Sequence, residues 1–99
     1  MVCCCVQIRV RVLGSLRETM KNNDVSLDLN DDVCLEGLIK TLISAYPQIE
    51  TNLWDRVIES YSSNALVLVN GVEAGNLEGL RTKLEDGDEI VILSVTHGG

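Results

Sequence analysis

LEDGDEIVILSVTHGG, residues 84–99, is the stretch on which the fold turns. Asp86-Gly87-Asp88 signals a turn, and Glu89 to Val95 then runs apolar at successive positions through Ile90, Val91, Ile92, Leu93 and Val95. Strand side chains alternate between two faces, so a run that does not alternate needs cover on both sides and belongs in the middle of a sheet. The expected neighbour is Val6 to Leu13, where Val6, Ile8, Val10 and Val12 alternate with Gln7, Arg9 and Arg11. That period of two describes a strand with a single apolar face.

Between these two strands the chain reads in order. Gly14-Ser15 breaks the first strand, and Leu16 to Asn23 is a polar excursion closed by the turn cluster Asn22-Asn23-Asp24. Val25, Leu27 and Leu29 alternate with Ser26 and Asp28, which predicts an antiparallel hairpin with a long loop. Asn30-Asp31-Asp32 offers acceptors for the first amides of a helix. Leu35, Leu38, Ile39 and Leu42 then form one helical stripe, widened by Ile43 and Tyr46 and ended by Pro47. Gly37 inside that helix costs about 1 kcal/mol relative to Ala.

From Gln48 to Asn64, the residues Leu53, Trp54, Val57, Ile58 and Tyr61 are spaced for a shorter amphipathic helix, or simply to cover an open edge of the core. Packing is the favoured use of apolar residues at that spacing. Ala65 to Val69 predicts a strand with both faces covered, and Asn70-Gly71 a tight turn. In the turn-broken stretch from Val72 to Leu84, the expected core anchors are Leu77, Leu80 and Leu84. The sum is an α+β domain, residues 1–95, with one main helix across a mixed sheet of four to five strands, followed by a tail, residues 96–99.

With 99 residues, 45% of them hydrophobic, the chain can bury the core of one domain without disulfides or metals. It has no Phe and one Trp, so Val, Leu and Ile must fill that core. Eight basic residues against fifteen acidic ones give a net charge of −7, which repels phosphate backbones. No direct nucleic-acid partner is expected, although Arg9 and Arg11 share a strand face. No apolar run approaches the ~20 residues of a membrane-spanning helix. The apolar start, Met1 to Val6, is interrupted by Gln7 and Arg9 and is too short for a signal peptide. The expectation is a cytoplasmic monomer with no membrane partner.

Cys3, Cys4 and Cys5 are consecutive, so their side chains point to opposite faces and do not converge on one zinc ion. Thiols buried or at a strand edge are the favoured reading. A disulfide through Cys34, or a metal or catalytic thiol, are the alternatives. No metal and no tightly bound cofactor are expected.

Thr96-His97-Gly98-Gly99 reach at most ~14 Å beyond the last anchored residue. Two glycines without Cβ atoms fit a narrow channel and bring a carboxylate close to a phosphate. That carboxylate, with a pKa near ~3.5, is ionised at neutral pH and is a poor electrophile. It becomes an acyl donor only as a mixed anhydride, thioester or thiocarboxylate. His97 lacks the surroundings of a general base, so it is read with Thr96 as a docking contact. Leu80 is a candidate partner contact on the head, with core packing as its alternative use. Asp31-Asp32 and Glu85-Asp86 read as solvated acids at a helix start and a turn. Lys21, Lys40 and Lys83 are candidate acceptors if conjugates form on the chain itself.

Four segments occur in an order that resembles a known group: SLRE at Ser15–Glu18, LIKTLISAYP ending at Pro47, LVNG at Leu68–Gly71, and LEDGDEIVILSVTHGG at Leu84–Gly99. The group is the ubiquitin-like sulfur carriers and small modifiers (MoaD- and ThiS-like proteins, the ubiquitin-related modifier and archaeal small modifier proteins). The first half is most similar to the molybdopterin-synthase small subunit, and the Thr-His-Gly-Gly ending to the eukaryotic and archaeal modifiers.

The resemblance implies a β-grasp, ubiquitin-like fold and a carrier that is not itself an enzyme. It implies an E1-like adenylating enzyme that uses ATP on the C-terminal glycine, with Gly99 as acyl carrier and Gly98 as narrow neck. A sulfurtransferase then makes a thiocarboxylate for tRNA thiolation or, with a pterin-synthase large subunit, for molybdopterin synthesis. In modifiers the glycine instead forms an isopeptide bond to a target-protein lysine. The chain lacks a proline before the tail, where Val95 and Thr96 stand, which weighs against the pterin branch; its length weighs against thiazole synthesis. Two other classes are kept: a ubiquitin-fold adaptor whose Gly-Gly is incidental, and a small enzyme using Cys34 or Cys3–Cys5 as nucleophile.

Overall fold

Ile90 and Ile92 are fully buried, and Val91 and Leu93 are half-buried on the opposite side, in a strand that the computed structural model runs from Glu89 to Ser94. The structure describes residues 5–20 and 24–94. In chain order the main sheet takes β1 (Cys5–Gly14), β2 (Asp24–Asn30), β5 (Ala65–Val69), β6 (Val72–Glu73) and β7 (Glu89–Ser94). The last of these is its centre, in the order β2-β1-β7-β5-β6. β7 lies parallel to β1, from Arg9 opposite Glu89 to Gly14 opposite Ser94. It lies antiparallel to β5, from Ala65 opposite Ser94 to Val69 opposite Ile90. The mixed sheet and its single main helix are the β-grasp arrangement that the sequence led us to expect.

That helix, α2 (Leu35–Ala45), buries Leu35, Leu38, Ile39 and Leu42 against the inner face of the sheet, where Ile8, Val10, Val12, Ile90 and Ile92 are fully enclosed. Pro47 stops it as predicted and opens a short 3-10 turn, Pro47–Ile49. The start differs from expectation. Cys34 occupies the N-cap position and its side chain makes no capping bond. The Leu35 amide donates instead to the Thr82 carbonyl at 2.9 Å, so a neighbouring segment replaces Asp31 and Asp32 as the acceptor.

Two further elements depart from the sequence reading. The polar excursion after β1 contains a helix, α1 (Ser15–Met20), in which Leu16 and Met20 drop into the core. Two apolar residues four apart on six positions give too weak a period to announce themselves. The stretch after Pro47 is no continuous helix either. It makes one turn, α3 (Glu50–Leu53), and then a hairpin of β3 (Trp54–Asp55) and β4 (Ser60–Tyr61). Leu53 is buried and Trp54 and Tyr61 pack against the core, whereas Val57 and Ile58 at the hairpin tip face solvent. Of the three expected anchors after Val72, Leu84 is buried, Leu80 is partly buried against the core, and Leu77 is 42% exposed. The 3-10 turn Ala74–Asn76 buries Ala74 in place of Leu77.

The β5–β6 turn places Asn70 at φ 51° and Gly71 at φ 85°. The Asn70 side chain serves twice, because its Oδ1 accepts from the Glu89 amide at 2.9 Å and its Nδ2 donates to Asp88 Oδ1 at 2.9 Å. Asn70→Ala removes both bonds and leaves a side chain less suited to a left-handed backbone. It should lower stability by about 2 kcal/mol, read as a shift in urea midpoint at constant m-value.

Among the described residues, no helix is long and apolar enough to cross a membrane, and no group of His, Cys, Asp and Glu could hold a metal ion. Cys5 is exposed at the start of β1, and Cys34 is a half-buried free thiol. Cys3 and Cys4 lie outside the described residues, as do Lys21 and residues 95–99.

Candidate functional site

The sequence placed the working group at the end of the chain. Gly99, Gly98, His97 and Thr96 all lie outside the described residues, so the site begins structurally at Ser94, the root of the tail. Ser94 is the one polar residue in the apolar run of β7, and it is 2% exposed. Its Oγ donates a long bond, 3.5 Å, to the carbonyl of Asn52 in α3. On the two sides of the strand, Ala65 of β5 and Gly14 of β1 stand opposite it.

Gly14 carries more of this geometry than any side chain. Its φ is +71°, which turns the chain from β1 into α1, and a Cβ built on it would lie 2.2 Å from the Ser94 carbonyl oxygen. Only a residue without a Cβ allows that close approach, and backbone cannot yield as the end of a flexible side chain does. The root is thus held between β1 and β5, with α3 behind it. The α3 segment is tied in turn to the loop after β4 that leads into β5, where the Ser62 amide donates to the Leu53 carbonyl at 2.6 Å. A carbonyl, a hydroxyl and apolar side chains surround the root. Among the described residues they fix the end of β7 at Ser94.

The outer face of the sheet continues from the root. Leu13, Leu93 and Leu66 stand side by side across β1, β7 and β5, and Val91 and Leu68 form the next row. All five are half-buried, so neither sequence expectation of full cover, for Ala65–Val69 or for Glu89–Val95, holds on this face. Arg11 extends the second row and Arg9, opposite Glu89, the third. Arg11 meets Asp24 at 3.7 Å with both side chains about half exposed, a pair of little weight in stability. The far end of the same face bears an open polar concavity of about 480 Å³, lined by Gln7, Arg9, Ser26, Asn70, Gly87 and Glu89. It sits at the beginning of β7, a strand's length from the root.

Leu80 belongs to a different region. It lies in the 3-10 turn Gly79–Arg81 beside Thr82, whose carbonyl receives the first amide of α2. The root contacts the segment that follows the other end of α2, so a helix of 11 residues, about 16 Å, separates them. Of the candidate lysines, Lys40 is exposed on α2, 3.2 Å from Glu36 and 5.8 Å over the Trp54 ring, and Lys83 is exposed beside Cys34. Sequence reasoning missed Gly14 and Ser94 as site residues. The available signals were a lone glycine closing the first strand and a lone serine within the last.

The profile of the ThiS family matches residues 10–99. Small archaeal modifier protein 3 of Haloferax volcanii is 26% identical over 95% of this chain and 100% of its own length. Urm1 from Trypanosoma brucei superimposes with a TM-score of 0.78 at 28% identity, over 96% of this chain and 97% of that one. Small archaeal modifier protein 1 from Methanosarcina acetivorans does so with a TM-score of 0.75 at 27% identity, over 96% and 98% of the two chains.

Proposed function

The chain belongs to the ThiS family, and from that membership we infer that its working group is the C-terminal carboxylate of Gly99, activated by an E1-like enzyme. It is a ubiquitin-like modifier or sulfur carrier, as its relatives are. The observation that carries the inference is the root. The last strand is paired on both sides and its final residue is clasped by backbone, so a rigid head hands over directly to residues 95–99.

In the proposed reaction a Gly99 carboxylate oxygen attacks the α-phosphorus of ATP, and diphosphate leaves. The terminal sulfur of a persulfide on a sulfurtransferase then displaces AMP at the acyl carbon, and a thiol cleaves the resulting acyl disulfide, leaving the thiocarboxylate on Gly99 and a disulfide on the sulfurtransferase side. Gly98 supplies a neck narrow enough for the enzyme's channel, and Thr96 and His97 are contacts along it. The half-buried apolar rows from Leu93 to Leu68, with Arg9 and Arg11 beside them, suit docking of the same enzyme on the outer sheet face. ATP belongs to the partner, and no cofactor is held by the carrier.

A second reading is favoured by the modifier proteins among the relatives: the activated glycine is passed to a lysine of a target protein. Both readings share the first step. Incubating the chain with an E1-like enzyme, ATP and a sulfur donor should release AMP and raise the intact mass by about 16 Da, sulfur for oxygen. After trypsin, target lysines carrying the segment Leu84–Gly99 would report conjugation instead, because Lys83 is the last basic residue before the tail. A chain that supports neither AMP release nor any mass change is the adaptor kept as the alternative.

A further inference from the structure

Val57 and Ile58 are the most exposed large apolar residues described, at 91% and 57% of their surface, and they sit together at the tip of the β3–β4 hairpin. Single exposed hydrophobes are ordinary; two on a braced projection are a different matter. Asp55 Oδ1 accepts from the amides of Val57 at 2.8 Å and Ile58 at 3.4 Å, which fixes the turn. Arg56 grips Glu50 with both arms of its guanidinium, Nε and Nη2 each at 3.0 Å, which fixes the hairpin to α3. At its base Trp54 pairs with Tyr61, and both rings pack on the core. The tip is therefore held out, with Val57 almost wholly and Ile58 more than half exposed.

We propose that this hairpin tip is a second docking point for the activating enzyme, engaged together with the tail. The inference rests on the reading of Gly99 given above and names a part of the head by which the same partner recognises it. What selects that partner is position. The hairpin grows directly from α3, whose Asn52 carbonyl receives the Ser94 hydroxyl. The hairpin projects from α3 by two strand residues, Trp54 and Asp55, and the turn at 56–59, and the five residues beyond Ser94 extend at most about 17 Å. An enzyme that closes on the tail must lie over its root, within reach of the tip. Two glycines give it little to recognise, so discrimination has to come from the head. The outer sheet face flanks the root on the side of Leu93 and the hairpin on the side of Ser94, so one partner touching both would straddle the tail.

The test uses the full chain with Val57 and Ile58 both changed to Asp, and a milder pair changed to Ser. AMP release by an E1-like enzyme is followed with the carrier as varied substrate. Wild-type turnover is read first, and its absence overturns the Gly99 reading and this one together. Given turnover, KM for the Asp pair should rise about tenfold or more and for the Ser pair less, with kcat within about twofold and the thermal midpoint unchanged. Equal KM values for variants and wild type overturn the docking proposal alone. So does a wild-type dimer that the Asp pair splits without affecting KM, because the tip then covers a second copy. A fall in kcat together with an earlier melt overturns it too, as a structural role.

Discussion

Gly14→Ala is expected to lower the unfolding free energy by about 3 kcal/mol, although it adds a single methyl group. Two costs combine. The backbone sits at φ +71°, in the left-handed region that an L side chain enters at about 1–2 kcal/mol. The new Cβ would also stand 2.2 Å from the Ser94 carbonyl oxygen, with Leu93 Cδ1 at 3.1 Å, so β1 and β7 must part locally; overpacking of that kind costs about 1–3 kcal/mol. Gly71 and Gly87 isolate the first cost. Their φ values are +85° and +88°, and a Cβ added to either would meet nothing within 4 Å, so Gly87→Ala should cost only about 1–2 kcal/mol. Urea titrations of the two variants measure the difference. Equal losses at Gly14 and Gly87 would show that β7 accommodates the methyl and that the root is not clasped. Because the residue that moves is the tail's anchor, Gly14→Ala should also slow activation under conditions where the variant remains folded.

Ile92→Ala should cost about 3–4 kcal/mol, the loss typical of an enclosed aliphatic side chain that leaves a cavity. Ile92 is 0% exposed, opposite Val12 and Val67 on the two adjoining strands, at the centre of the core. One residue further, Leu93→Ser removes a half-buried side chain from the outer face and should cost about 1 kcal/mol while weakening activation. Adjacent positions thus separate folding from docking. Thermal and urea melts read the first effect, AMP release the second. A Leu93 variant as unstable as the Ile92 variant would mean that the outer face is core.

The sheet's centre was legible because Ile90-Val91-Ile92-Leu93 admits few other readings, and α2 because its stripe is regular and Pro47 ends it. The elements that escaped are those whose sequence signal is short or ambiguous. Leu16 and Met20 are too few to display a helical period. Leu53, Trp54, Val57, Ile58 and Tyr61 mimic one, yet the chain reverses between them, with Glu59 at φ +50° completing a hairpin. The Asp31-Asp32 cap failed for another reason: Thr82, almost fifty residues away in the chain, supplies the acceptor, and no local pattern records so distant a partner. The root escaped in the same way. It depends on a backbone-to-backbone approach between Gly14 and Ser94, for which the glycine alone is a trace.

The pairing of β1 with β7 also bears on how the chain is made. These strands join residues 80 positions apart, Arg9 with Glu89, and among the described residues β7 is the only strand linking the β1–β2 and β5–β6 halves of the sheet. Until residues 89–94 have left the ribosome, each half lacks the partner that covers its apolar edge, and the nascent polypeptide stays open to proteases and chaperones. A translation product interrupted before residue 89 therefore leaves the two halves of the sheet unjoined.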